Sequence, residues 1–216
     1  MYLRIKRGLD FMMALAGLAV LAPVFLVLVI WIKLDSRGPV LFRQKRVGIH
    51  KTYFHILKFR TMRTDTPKDM PTHLLKDPEQ YITKAGRFLR RTSLDELPQI
   101  INILRGDMAV VGPRPALWNQ YDLIEERDKY GANDVRPGLT GWAQINGRDE
   151  LEIPVKAKFD GEYVKMLLHG KGFLIDCRCF LGTFLHVFRG DGVVEGGTGS
   201  MKNMRKPGDK NSMEDK

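Results

Sequence analysis

Cysteine is nearly absent: Cys177 and Cys179 are the only two in 216 residues. Their C-x-C spacing is too tight for an ordinary disulfide framework, so the chain reads as reduced and cytosol-facing. Acidic residues are just as scarce in the first third. The chain carries 35 Lys+Arg against 25 Asp+Glu, a net +10, yet only two of those acids, Asp10 and Asp35, fall within residues 1–63. Twelve of the basic residues lie there, so the whole excess sits in that stretch and the rest of the chain is neutral. A nucleic-acid binder spreads basic residues over its folded domain, and this distribution excludes that class. The 44% hydrophobic content excludes a disordered chain. The length excludes a multidomain machine.

Familiar site motifs are missing too. There is no G-x-x-x-x-G-K-[ST] phosphate loop and no G-x-G-x-x-G. The five histidines (50, 55, 73, 169, 186) have no metal-binding spacing. No G-x-S-x-G elbow occurs. No D-x-D occurs either, the pair that holds the metal in many nucleotide-sugar glycosyltransferases. No internal repeat is found.

What is present begins with one long apolar run. Phe11–Ile32 is 22 residues without a charge, long enough to cross a bilayer as a helix. No A-x-A-like cleavage site follows, which favours a retained segment over a cleaved signal. Pro23 lies near its middle, where it removes a helix hydrogen bond and kinks the chain. Arg4, Lys6 and Arg7 precede the run; Lys33, Arg37, Arg43, Lys45 and Arg46 follow it. Basic flanks prefer the cytoplasmic side. A spanning helix would export one cluster, whereas a helix–break–helix that enters one leaflet and returns keeps both inside. The charges therefore favour a re-entrant anchor over residues 1–36, with a kinked single span as the alternative.

Beyond it, the pattern predicts a small α+β domain over 37–195, mostly helical, with short strands and amphipathic interfacial helices. Val40–Phe42 and Tyr53–Phe59 read as strands around a turn at Gly48. Residues 64–78 read as a loop. Lys84–Arg91, Glu96–Leu104, Ala116–Tyr130, Val155–Leu168 and Phe173–Phe188 read as helices. Met108–Val111 reads as a strand, and Arg136–Arg148 as a glycine-rich loop. Residues 196–216 read as a disordered tail.

One stretch concentrates chemistry: Arg90-Arg91-Thr92-Ser93-Leu94-Asp95-Glu96-Leu97-Pro98-Gln99. Pro98 belongs to the first turn of its helix, because deeper inside it costs about 3 kcal/mol. That puts Ser93 or Asp95 at the N-cap. Ser93 and Glu96 match a capping box, which is a purely structural explanation. A helix N-terminus also suits a phosphate, and Arg90, Arg91, Lys58, Arg60 and Arg114 supply cations. Adjacent carboxylates point in different directions, so Asp95 and Glu96 suit two roles better than one shared proton. Pro113-Arg114-Pro115 is either a stiff turn or an arginine whose backbone is fixed for a phosphate. Gln144, Asn146 and Arg148 could bond a ligand, or belong to an ordinary loop.

Taken in order, KFRTM (58–62), RRTSLDELPQIINILRGDMAVVGPRP (90–115) and VRPGLTGWAQINGR (135–148), behind a basic-flanked apolar hairpin, closely resemble the bacterial sugar transferase family. These are monotopic polyprenol-phosphate phosphoglycosyl transferases of the inner membrane's cytosolic face. The resemblance covers about residues 1–195. It implies transfer of a phosphosugar from a UDP-sugar to undecaprenyl phosphate, with release of UMP. It implies Asp95 as nucleophile, Glu96 as Mg²⁺ ligand, and Lys58, Arg90 and Arg114 on phosphate oxygens. Arg136, Gln144, Asn146 and Arg148 are candidates for nucleotide-sugar contacts. It also implies membrane lipid as a partner and a membrane break at Ala22-Pro23, where the family usually has Ser-Pro. The stretch Leu167–Gly172 departs from the family pattern, and Asp176 receives no role. A homo-oligomer is left open. The competing classes are a glycosyltransferase that releases UDP and a non-enzymatic membrane adaptor.

Overall fold

The computed structural model describes residues 2–66, 78–147 and 151–189, with side chains to residue 185. The expected tail, most of the 64–78 loop and Arg148 lie outside them.

The apolar run forms helix α1, Tyr2–Asp35, about 51 Å long at 1.5 Å per residue. Helical structure continues through Ala22-Pro23, where the resemblance implies a break. Pro23 removes one backbone donor, and the turns around it are held by packing. Leu18, Leu21 and Phe25 lie on the main core, and Phe25 tilts against Phe59 with ring centroids 5.4 Å apart. Leu28 and Ile32 enter a second cluster with Phe59, Ala85 and Leu89.

Both ends of α1 are fastened to the same body. Near its start, Arg7 donates to the carbonyls of Ile103 (2.6 Å) and Leu104 (3.1 Å). These belong to helix α3, Gln99–Arg105, and a cation there meets the helix's last carbonyls. Asp10 accepts from the Val110 N–H at 3.1 Å. At the other end, Asp35 accepts from the Ala85 N–H (2.9 Å) in the first turn of helix α2, Lys84–Thr92. Arg60 donates to the carbonyls of Ser36 and Arg37. The opposite side of α1 is apolar and bare: Val20 is 76% exposed and Leu34 82%. A large exposed apolar surface of this kind marks an interaction surface.

Strands β1 (Leu41–Val47) and β2 (Tyr53–Phe59) pair antiparallel, from Leu41 opposite Phe59 to Val47 opposite Tyr53. β2 matches its predicted bounds, while β1 runs further than 40–42. The second sheet is parallel: β3 (Ala109–Val111) beside β4 (Gly138–Thr140). β4 falls in the segment predicted to be loop, and so does helix α5, Trp142–Gly147. Glycine makes this pairing possible. A Cβ on Gly138 would collide with the backbone N of Gly112 and the carbonyl oxygen of Thr140, and one on Gly112 with the Arg136 carbonyl.

Helix α4 covers only Tyr121–Asp128 of the predicted 116–130, because Ala116 is used in extended pairing with Val47. Helices α6 (Ile153–Met166) and α7 (Gly172–Arg189) flank a π-turn at Leu167–Lys171. Gly170 there has φ +81°, a conformation that favours glycine. This turn leads into α7, which carries Asp176 to a largely buried cluster. Asp176 accepts from the Tyr2 hydroxyl (2.6 Å), Lys6 (2.8 Å) and the Tyr163 hydroxyl (2.8 Å).

Candidate active site

Helix α2 ends at Ser93, whose backbone is left-handed (φ 56°). This reverses the chain and starts a short 3₁₀ turn, Leu94–Glu96. Pro98 follows, and α3 begins after it. The two carboxylates therefore precede α3 in a turn of their own. The capping box predicted from Ser93 and Glu96 is not formed: the Ser93 side chain makes no cap hydrogen bond. Glu96 is committed elsewhere. Its Oε1 accepts from Lys58 Nζ and from Arg114 Nη2, each at 2.9 Å. One cation comes from β2 and the other from the Pro113-Arg114-Pro115 turn, so tertiary structure outcompetes the local cap.

Asp95 is buried, 3% exposed. Lys58 Nζ lies 3.7 Å from its Oδ2 and so serves both acids. A buried carboxylate needs such compensation to stay charged. Burial pushes the Glu96 carboxyl up, but Arg114 and Lys58 outweigh it and hold it well below the usual carboxylate range. Arg90 is tied to the KFRTM segment: its Nε donates to Thr61 Oγ1 at 2.9 Å. Thus Lys58, Asp95, Glu96 and Arg114 meet directly, with Arg90 oriented by the KFRTM segment.

The glycine-rich candidates behave differently. Arg136 donates to the Gly106 carbonyl (3.0 Å), Gln144 to that of Leu139 (3.3 Å) and Asn146 to that of Trp142 (2.8 Å). Each is tied to backbone, and among the described residues no hydrogen bond joins them to Glu96. Sequence reasoning missed Thr61 and the buried pair Arg127–Asp160. Arg127 donates to Asp160 and to the Arg114 carbonyl. No local pattern marks these residues, since their partners are distant in sequence.

Among the described residues, no group of three or more His, Cys, Asp or Glu could hold a metal. The chain's donors here are two adjacent carboxylates facing cations. These carboxylates are the residues that could hold Mg²⁺, which takes one or two carboxylates and completes its shell with water and substrate phosphates.

The arrangement is a largely buried pair of carboxylates held by two cations, Lys58 and Arg114. The profile of the family described as "Bacterial sugar transferase" matches residues 1–190. The chain belongs to the bacterial sugar transferase family. Within that family it is 36% identical over 191 residues to an "Uncharacterized sugar transferase EpsL" of Bacillus subtilis (strain 168), covering 88% of this chain and 91% of the relative. It is 42% identical over 170 residues to an "Undecaprenyl-phosphate glucose phosphotransferase" of Komagataeibacter xylinus, covering 74% of this chain but 32% of that protein. It is likewise 42% identical to a "UDP-glucose:undecaprenyl-phosphate glucose-1-phosphate transferase" of Escherichia coli (strain K12), covering 74% and 36%. This sugar transferase thus spans about a third of the length of the latter two and most of the first.

Proposed function

We propose that the protein transfers a sugar 1-phosphate from a UDP-sugar to undecaprenyl phosphate, releasing UMP and initiating glycoconjugate assembly such as exopolysaccharide, capsule, O-antigen or glycoprotein glycan. One observation carries this reading: Lys58 and Arg114 converge on one oxygen of Glu96, with Asp95 buried beside Lys58. The Escherichia relative's name describes a UDP-glucose:undecaprenyl-phosphate glucose-1-phosphate transfer, and the Komagataeibacter relative's an undecaprenyl-phosphate glucose phosphotransferase.

Lys58, Arg90 and Arg114 bind the diphosphate oxygens, which spreads its charge and fixes its orientation. The Asp95 carboxylate attacks the β-phosphorus. An oxygen–phosphorus bond forms, the bond from that phosphorus to the bridging oxygen breaks, and UMP leaves with the electron pair. An oxygen of undecaprenyl phosphate then attacks the same phosphorus. The Asp95–phosphorus bond breaks and the carboxylate returns. One hard step becomes two. Both nucleophiles are already anions, so no general base is needed. The sugar C1–O bond is never broken, so anomeric configuration is kept. Held by Glu96, Mg²⁺ would supply charge neutralisation on the diphosphate. Contacts to uridine and sugar are assigned to the glycine-rich segment, through Arg136, Gln144, Asn146 and Arg148.

The anchor reads as monotopic on the cytosolic face of the inner membrane. Its support is that the first and last turns of α1 are fastened to one folded body. A simple span would separate them across about 30 Å of hydrocarbon. That placement keeps both basic flanks inside.

The test is incubation with UDP-sugars and undecaprenyl phosphate, scored for nucleotide. UMP is expected, whereas UDP would indicate transfer of the sugar alone. Full turnover in Asp95→Asn would remove Asp95 as nucleophile. Labelling of a cysteine at position 3 from outside intact cells would refute the monotopic anchor.

A further inference from the structure

We propose that Arg127 and Asp160 form a positioning pair for this reaction: they set where the Arg114 guanidinium stands, and through it the diphosphate. The proposal rests on the phosphoglycosyl transferase reading.

Arg127 (α4) and Asp160 (α6) are 3% and 1% exposed. Arg127 Nε and Nη2 both reach Asp160 Oδ2, at 2.8 and 2.6 Å. A buried ion pair of this kind is a poor stabiliser, since apolar residues of similar size often serve as well. Its use lies in the third bond, from Arg127 Nη2 to the Arg114 carbonyl at 3.0 Å.

That bond completes a row. Three successive carbonyls of the Pro113-Arg114-Pro115 turn are each held from outside. The Gly138 N–H takes Pro113 (2.9 Å), Arg127 takes Arg114 (3.0 Å) and Arg46 takes Pro115 (3.0 Å). The prolines fix the backbone angle on either side of Arg114, and the donors fix the turn in space. The Arg114 side chain then leaves a stationary platform and reaches Glu96. The line runs from Asp160 through Arg127 and Arg114 to Glu96. Asp160 locks the guanidinium plane of Arg127, and that plane locates the carbonyl. A misplacement near 1 Å at a reacting centre can cost about a hundredfold in rate, so this distant pair governs the site without touching substrate.

The test is a double-mutant cycle in the full chain, with Arg127→Met/Asp160→Leu as one arm and Arg114→Ala as the other. Replacing both charges together leaves neither one orphaned. We expect an unchanged thermal midpoint and a ten- to hundredfold fall in kcat/KM for UMP release, the range spanned by a hydrogen bond to a charged group. In the Arg114→Ala background, the same pair of changes should cost less than about twofold. Wild-type turnover in the folded pair variant would overturn the proposal. So would an undiminished loss in the Arg114→Ala background, which means general damage. Should the pair variant fail to fold, Arg127→Lys is put through the same cycle. It keeps the charge for Asp160 but lacks the fork that also reaches the carbonyl. Affinity for inorganic pyrophosphate, by titration calorimetry, separates the two readings. If it follows the same cycle while the wild type releases no UMP, the transferase reading falls and the positioning pair stands. If UMP is released but neither measurement shows coupling, the positioning pair falls alone.

Discussion

Lys58→Met is the sharpest perturbation of the site. Methionine keeps most of the side-chain length and removes the charge. Lys58 Nζ is 2.9 Å from Glu96 and 3.7 Å from Asp95, and all three side chains are largely enclosed. A hydrogen bond to a charged group contributes about 1.5–3 kcal/mol, and stripping one partner from a buried pair costs about 3–5 kcal/mol. Arg114 still holds Glu96, so the lower range applies, about 2–3 kcal/mol. If the same cation meets the diphosphate in the transition state, that loss converts to about 30–150-fold in kcat/KM. The assay is UMP release at varied UDP-sugar, with folding checked by circular dichroism. A folded variant within threefold of wild type would refute the claim that Lys58 does electrostatic work there.

Glu96 also gives a pH prediction. Burial opposes its charge, yet Arg114 and Lys58 hold the folded carboxyl below its unfolded value. Its stabilisation is therefore complete above about pH 5 and fades as pH falls toward the folded value. Denaturation midpoints of wild type and Glu96→Gln should converge on acidification; divergence would contradict the assignment. Gly138→Ala should destabilise by about 1–3 kcal/mol, because its Cβ would lie 2.7 Å from Gly112 Cα as well as against two backbone polar atoms. It should slow UMP release too, by shifting the turn that carries Arg114; a native thermal midpoint would count against it. Asp176→Asn should leave Lys6, among the described residues, with Asp10 as its remaining carboxylate, 3.6 Å away, and loosen the start of α1. Trypsin should then cut faster after Lys6 and Arg7, and an unchanged rate would show that Asp176 does not hold that end.

The elements legible in the sequence were those with a local physical signature. A run of 22 uncharged residues reads as helix α1, and its basic flanks stand out at once. Pro98 locates the start of α3 only to within a turn, because proline tolerates only a first turn: the helix expected over Glu96–Leu104 begins at Gln99, with Pro98 and not Ser93 or Asp95 at its N-cap. β2 reads correctly from its β-branched and aromatic content. β4 did not, since Gly138-Leu139-Thr140 is three residues with a glycine, and its pairing with β3 comes from across the chain.

The sequence by itself determined that there is an apolar helix, that two acids precede Pro98, and that Arg114 stands on a stiff turn. Chain length, a missing N–H and fixed φ angles act within a few residues and need no partner. Only the tertiary structure decided what those residues do together. Glu96 could have capped Ser93; instead it took Lys58, 38 positions before it, and Arg114, 18 after it. Arg127 and Asp160, 33 positions apart, become a pair only when α4 packs on α6. The two ends of α1 meet one body where Arg7, Asp10 and Asp35 find backbone partners, Tyr2 and Lys6 reach Asp176, and Leu28 and Ile32 enter the core. Contacts of that reach depend on packing the whole chain, and no local pattern encodes them.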